Sequence, residues 1–229
     1  RAYSIKGCFY LDLNDLKKSE LSFKMALDKN ENIPESYYYL GLIHSSKGEY
    51  RQAKTFFKKA IKKNNKFVDA YYYLALTNFF SGKVNAAFKE LEKAIKLSPD
   101  NADLYTLKGD FCFSRSDIEK AIYYYNKALE ITPFYYSALI KRATIHYYNA
   151  NYTDCYKDLK SALIEPFYLN DNTIDTTNKH NTIQILNISI NHFNINENID
   201  SNYYIAYYKE ALCDFLYGDY LNANEKIET

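Results

Sequence analysis

Glycine and proline are scarce in this chain of 229 residues, and tryptophan is absent. The sequence holds six glycines and four prolines. A Gly-rich phosphate-binding loop, a dinucleotide-binding turn or a sandwich of many strands joined by tight turns would need more of both residues. The composition therefore disfavours nucleotide-binding folds and all-β folds.

Long apolar runs and a large excess of one charge are also missing. No apolar run approaches the roughly 18 residues that suggest a membrane span. Lys and Arg together number 29 against 28 Asp and Glu, which argues against a nucleic-acid binder that relies on its whole surface charge. The four cysteines lie far apart in the sequence. We expect them to be free thiols of a reducing compartment, and hence an intracellular protein, cytoplasmic or nuclear.

The sequence does contain an internal repeat with a period of 34 residues. Tyr37, Tyr71 and Tyr105 recur near the start of three of the units, and Pro99 and Pro133 recur near the end of two of them. Further columns recur at the same step, namely Ala53, Ala87 and Ala121; Phe57, Leu91 and Tyr125; and Ala60, Ala94 and Ala128. So many columns at one period indicate stacked units, because a single unit cannot bury its apolar faces alone.

This pattern resembles the tetratricopeptide repeat, a hairpin of two helices. We count positions from the start of each unit, so that Pro34 holds position 1. The resemblance implies an all-α fold, a right-handed superhelical solenoid of stacked helix-turn-helix repeats. Five repeats are predicted in residues 1–169, with starts near 1, 34, 68, 102 and 136, and a truncated repeat in 204–229. Lys6, Lys108 and Arg142 depart from the family pattern, which has Leu at position 7.

The segment 170–203 interrupts the clear repeats and is rich in asparagine. A disordered insertion is one interpretation of it. The flanking units, however, start two periods apart, and an insertion of arbitrary length would rarely preserve that phase. We therefore predict a degenerate repeat, with an irregular stretch to about residue 180 and one helix near 181–196.

Residues that could carry catalysis are few, and they lack the spacing that catalysis requires. The sequence has no Gly-x-x-x-x-Gly-Lys-Ser/Thr, Gly-x-Ser-x-Gly or His-Glu-x-x-His motif. His44 and His146 share position 11, a packing column, and Cys112 and Cys155 also fall on packing columns. We therefore expect a protein that is not an enzyme and has no cofactor and no metal site.

The family resemblance implies that the first helix of each hairpin lines a concave groove. On those helices, positions 2, 5, 9, 12 and 13 form a stripe separate from the packing residues. The sequence-predicted peptide-binding residues on this stripe are Tyr38, Leu42, Tyr72, Leu76, Phe79, Phe80, Thr106, Asp110, Phe113, Ile140, Thr144, Tyr147 and Tyr148. Contiguous exposed aromatic residues mark interaction sites. Alternatively, narrow curvature buries some of these side chains, with Phe80 and Phe113 the first expected to be covered.

Two charged patterns allow both a functional and a structural interpretation. Glu35, Asp69 and Asp103 recur at position 2. They form either an acidic rail that attracts a basic peptide or acids favoured by the dipole at a helix N-terminus. The second pattern is a basic patch, which is either a site for an acidic protein, RNA or anionic lipid or a solvated convex face. Its residues are Arg51, Lys54, Lys58, Lys59, Lys62, Lys63 and Lys66.

The predicted function is a protein-interaction scaffold that binds an apolar or aromatic-anchored peptide segment in its groove. Some tetratricopeptide domains clamp the C-terminal carboxylate of chaperones with Lys, Asn and Arg. The corresponding positions here lack those cations, which argues against that partner; they hold Tyr38, Leu42, Tyr73, Asp103 and Leu107 in one frame and Ser4, Cys8, Tyr39, Asp69 and Tyr73 in the other. The alternatives are a non-catalytic arm of a larger enzyme or complex and, less favoured, an RNA-binding helical repeat. We expect no nucleic-acid partner, because the inner positions carry almost no Lys or Arg.

Overall fold

The computed structural model describes residues 2–30, 32–149, 151, 154, 155, 157, 158, 161 and 162. Over these residues the chain forms nine α-helices and no strand, and the described residues from 154 to 162 are helical as well. The nine helices are α1 (Ala2–Asp12), α2 (Leu16–Lys29), α3 (Pro34–Ser46), α4 (Tyr50–Lys63), α5 (Val68–Phe80), α6 (Val84–Leu97), α7 (Ala102–Phe113), α8 (Ile118–Ile131) and α9 (Tyr136–Tyr148). The predicted all-α fold is confirmed.

Consecutive helices pair into hairpins, and the hairpins stack along the chain. The first helices α1, α3, α5 and α7 pack against the second helices α2, α4, α6 and α8 that follow them. Each second helix also packs against the first helix of the next hairpin, which for α8 is α9. The apolar clusters accordingly lie within and between hairpins. One of them joins Ala87 and Leu91 of α6 to Phe111 of α7.

The turn inside each hairpin reverses the chain at a residue with positive φ. Asn14, Gly48, Gly82 and Ser116 all occupy position 15, with φ between 55° and 75°. Glycine adopts this left-handed conformation without a steric cost, whereas the Cβ of other residues approaches a backbone carbonyl there. The turn therefore explains two of the six glycines and leaves Ser116 in a costly conformation.

Ser116→Gly is expected to raise the free energy of unfolding by about 0.5–1 kcal/mol, since relief of the left-handed strain exceeds the extra entropy of a glycine in the unfolded chain. The opposite change, Gly82→Ser, is expected to lower it by a similar amount. Urea denaturation followed by circular dichroism measures both values. Equal stability of the wild-type chain and both variants would show that the backbone at position 15 is not strained.

Small residues at position 8 allow the two helices of a hairpin to approach closely. A Cβ built on Gly41 would lie 2.5 Å from the ring of Phe57, and one built on Gly109 would lie 2.5 Å from the ring of Tyr125. The hairpin of α5 and α6 has Ala75 at position 8 and the smaller Leu91 at position 24, and both are buried. The volumes at the two positions thus compensate within each hairpin.

The charged residues that replace Leu at position 7 are accommodated by partners on second helices and beyond. Lys108 forms an ion pair with Glu92 of α6, and its ammonium lies 4.3 Å from the centre of the Tyr124 ring. Arg142 donates hydrogen bonds to both carboxylate oxygens of Asp158, at 2.5 and 2.8 Å. Lys108 and Arg142 are therefore both paired with a carboxylate, whereas Lys6, the third departure, is exposed.

Several sequence-based predictions lie outside the described residues. They are the end of the fifth repeat at 169, the segment 170–203 with its helix near 181–196, and the truncated repeat 204–229. None of the described helices has the length and apolar character needed to cross a membrane.

Candidate functional site

The predicted peptide-binding residues lie on α3, α5, α7 and α9, and their side chains differ in how exposed they are. Phe80 is 63% exposed and Tyr148 is 65% exposed, and both hold position 13 of their units. Phe113 of α7 is also exposed. Nine other members are half-buried: Tyr38, Leu42, Tyr72, Leu76, Phe79, Asp110, Ile140, Thr144 and Tyr147. We refer to these twelve residues as the first-helix stripe.

Two expectations about this stripe are wrong. Thr106 is buried and donates its hydroxyl hydrogen to the carbonyl oxygen of Ala102, 3.0 Å away, so it presents no surface to a ligand. Phe80 and Phe113 were expected to be the first side chains covered by neighbouring helices, yet both are exposed. They are the last residues of α5 and α7, and the Phe80 ring stacks on the ring of Tyr50 of α4 at 6.4 Å.

Aromatic rings link the stripe across neighbouring hairpins. The Tyr38 ring of α3 lies 5.7 Å from the Tyr73 ring of α5, edge to face. The Phe79 ring of α5 stacks in parallel on the Phe111 ring of α7, with 4.2 Å between their centres. Phe79 therefore belongs partly to the core, and its exposed neighbour Phe80 is the better probe of a surface role.

Two aromatic residues that the sequence analysis did not select extend this surface. Phe67 precedes α5, and its ring lies 5.1 Å from the ring of Tyr38. Tyr135 precedes α9, and its hydroxyl donates a hydrogen bond to Asp103 of α7. Both residues occupy the last position of a 34-residue unit, two periods apart. That spacing is the signal by which the sequence could have revealed them.

Carboxylates lie close to the tyrosines of the stripe. Burial raises the pKa of Tyr72 to about 12, with smaller contributions from Tyr73, Asp103 and Asp110. Burial also raises the pKa of Tyr38 above its usual range, and Tyr73 and Asp69 add to that rise. The phenols are therefore neutral donors at physiological pH.

Asp110, the carboxylate of the first-helix stripe, has a cationic partner. It accepts hydrogen bonds from the Tyr125 hydroxyl at 2.8 Å and from the Lys141 ammonium at 3.0 Å. The three acids at position 2, Glu35, Asp69 and Asp103, are exposed and form no ion pair within the described part of the chain.

The basic patch lies on α4 and on the residues that follow this helix. All of its members are exposed except Lys54, which is half-buried. Burial lowers the pKa of Lys54, and the nearby Lys83 and Lys58 lower it further. Lys59 lies over the rings of Tyr37 and Phe56, at 5.7 Å from each centre. The patch is thus a dense positive surface on a second helix and on the residues that follow it.

His44 and the buried cysteines Cys112 and Cys155 occupy packing positions. His44 is buried, stacks on Phe56 and has Nδ1 2.5 Å from a carboxylate oxygen of Glu49. Burial raises the pKa of Cys155 to about 12 and also raises that of Cys112, so both thiols are poor nucleophiles at neutral pH. Among the residues that the structure describes, no three potential ligands are grouped to hold a metal ion.

Hairpins of this length and packing define an all-α helical-repeat protein. Models of the tetratricopeptide repeat match residues 34–67 and 79–136. The resemblance that the sequence indicated is therefore confirmed, and the chain contains tetratricopeptide repeats. No curated protein matches the chain.

Solved structures of tetratricopeptide proteins resemble this fold. A crystal structure of MamA is 26% identical, covers 69% of this chain and 92% of its own, and has a TM-score of 0.58. The PilF structure from Pseudomonas aeruginosa is 16% identical, covers 71% of this chain and 74% of its own, and has a TM-score of 0.64. YrrB, described as a tetratricopeptide protein with an unusual peptide-binding site, is 20% identical; the match covers 73% of this chain and 87% of YrrB, with a TM-score of 0.52.

Proposed function

We propose that this chain is a protein-interaction scaffold whose first-helix stripe binds a peptide segment anchored by apolar or aromatic side chains. The observation that carries the proposal is the exposure of Phe80, Phe113 and Tyr148 at the ends of three successive first helices. A row of such residues on a stacked array offers repeated anchoring points to one extended partner.

The chemistry of the stripe supports a peptide ligand over other ligands. Tyrosine and phenylalanine supply large contact areas and lose little conformational entropy on binding. The stripe contains no Lys or Arg, which disfavours single-stranded RNA because stacking aromatics need cations beside them to hold phosphates. The matched repeats and the neighbouring structures support a scaffold role in general, and a non-catalytic arm of a larger enzyme or complex is compatible with it.

A library of random peptides displayed on phage tests the proposal. Peptides selected on the wild-type chain are expected to bind Tyr72→Ala and Phe80→Ala more weakly by about 1–2 kcal/mol, since these side chains act as anchors. Tyr123→Ala is the matched control, because Tyr123 is 54% exposed but lies on the second helix α8. Isothermal titration calorimetry measures the affinities, and circular dichroism checks that each variant is folded.

Full binding by both stripe variants, with both of them folded, would contradict the proposed site. The basic patch on α4 would then become the next candidate surface. Selection of no peptide at all by the wild-type chain would contradict the peptide-binding function itself.

A further inference from the structure

The first helices α3 and α5, which carry part of the first-helix stripe, contain an acid each but no Lys or Arg. Glu35, Asp69 and Asp103 stand in the first turns of α3, α5 and α7. The helix dipole alone would favour acids in the first turn of every helix. The second helices α2, α4 and α6 have none there, and α8 has Glu119. Asp15, Glu49 and Asp117, however, hold the N-cap positions of α2, α4 and α8, and α1 and α9 have no acid in the first turn. Glu35, Asp69 and Asp103 are therefore distinguished by standing on helices of the first-helix stripe.

Glu35 and Tyr38 on α3, and Asp69 and Tyr72 on α5, are three residues apart, so each acid shares a helix face with a tyrosine of the stripe. Asp103 accepts the hydrogen bond from Tyr135, the residue that precedes α9. The charges of Asp103 and Asp110 act on Tyr72, and the charge of Asp69 acts on Tyr38. A ligand that packs on the tyrosines would thus have carboxylates within reach on α5 and on α7.

The charges along this surface do not balance among the described residues. Glu35, Asp69, Asp103 and Asp110 supply four carboxylates, and Lys141 is the one cation paired with any of them. Three carboxylates remain exposed without a cationic partner in the described part of the chain. The surface is therefore both aromatic and acidic, although the whole chain has a net charge of +1.

We propose that the ligand of the first-helix stripe is a basic peptide, whose apolar side chains pack on the tyrosines while its Arg or Lys side chains pair with Asp69 and Asp103. The inference rests on the proposed function and adds the charge of the partner to it. Arginine suits such a surface, because its planar guanidinium forms paired hydrogen bonds with a carboxylate and stacks on aromatic rings. An acidic peptide would meet like charges on the same surface and bind more weakly.

Three synthetic peptides test this inference. They share the apolar residues of one peptide selected on the wild-type chain, and their intervening positions are all Arg, all Gln or all Glu. The Arg peptide is expected to bind roughly tenfold more tightly than the Gln peptide at low ionic strength, and the Glu peptide is expected to bind most weakly. The advantage of the Arg peptide should shrink as salt is added, because the exposed charges are screened.

The double variant Asp69→Asn/Asp103→Asn is expected to remove the advantage of the Arg peptide and to leave the affinity for the Gln peptide unchanged. Asparagine keeps an oxygen that can accept the hydrogen bond from Tyr135. The matched control is Asp28→Asn/Glu119→Gln, which removes two exposed acids from the second helices α2 and α8. That control is expected to bind all three peptides as the wild-type chain does.

The possible results separate this inference from the proposed function. Equal binding of the Arg and Gln peptides, or tightest binding of the Glu peptide, would overturn the basic specificity and leave peptide binding in place. An Arg preference that survives in the Asp69/Asp103 variant would overturn the assignment of these two acids. Binding of none of the three peptides would overturn the inference and the proposed function together.

Discussion

Phe111→Ala is expected to lower the free energy of unfolding by about 3–5 kcal/mol, the range found when a buried Phe is truncated in a packed core. Phe111 is 2% exposed, stacks on Phe79 at 4.2 Å and meets the edge of Phe88 at 5.6 Å. These contacts join α7 to both helices of the preceding hairpin. The variant should therefore loosen the interface between hairpins, as measured by urea denaturation followed by circular dichroism.

Phe9→Ala is the matched control, since Phe9 holds the same position 10 three periods earlier. Phe9 is 57% exposed, whereas Ile43, Thr77 and Ile145 at this position are buried. Phe9→Ala is expected to cost less than about 1 kcal/mol, as surface truncations do. Similar losses at Phe9 and Phe111 would contradict the inference that the preceding hairpin buries position 10.

Gly41→Ala is expected to lower the free energy of unfolding by about 2 kcal/mol, because the added Cβ would lie 2.5 Å from the ring of Phe57. The higher helix propensity of alanine stabilises the helix by up to about 1 kcal/mol, which offsets only part of the free energy lost to the steric overlap. Phe57 is buried and its ring packs beside those of Tyr38 and Tyr73, so it has little room to move aside. The same denaturation experiment measures the loss.

Phe57→Leu is expected to relieve most of that overlap, because the hairpin of α5 and α6 already combines Ala75 with Leu91. Phe57→Leu alone should destabilise the protein by leaving a cavity beside Gly41. In the double variant the two losses should therefore not add, and a double-mutant cycle should give a favourable coupling energy. Additive losses would show that Gly41 and Phe57 do not share the space that the structure indicates.

Much of the candidate site could be predicted from the sequence, because the 34-residue period assigns every residue of a unit to a position on a helix. The placement of Tyr38, Tyr72 and Tyr147 on first helices followed from that period. The exposure of single residues did not follow from it. Thr106 is buried and its hydroxyl donates a hydrogen bond to a carbonyl oxygen of its own helix, whereas Phe80 is exposed at a helix end. Exposure depends on where neighbouring helices begin and end, and a repeat pattern does not contain that information.

The sequence by itself determined that this protein is a stack of helical hairpins, because a pattern of small and aromatic residues at one period is compatible with little else. Tertiary structure alone decided how its exceptions are accommodated. Lys108 forms an ion pair with Glu92, and Arg142 forms one with Asp158; each partner is sixteen residues away and on a different helix. Such pairings depend on the orientation of side chains between helices, and a periodic pattern specifies the helices but not the contacts that charged exceptions make.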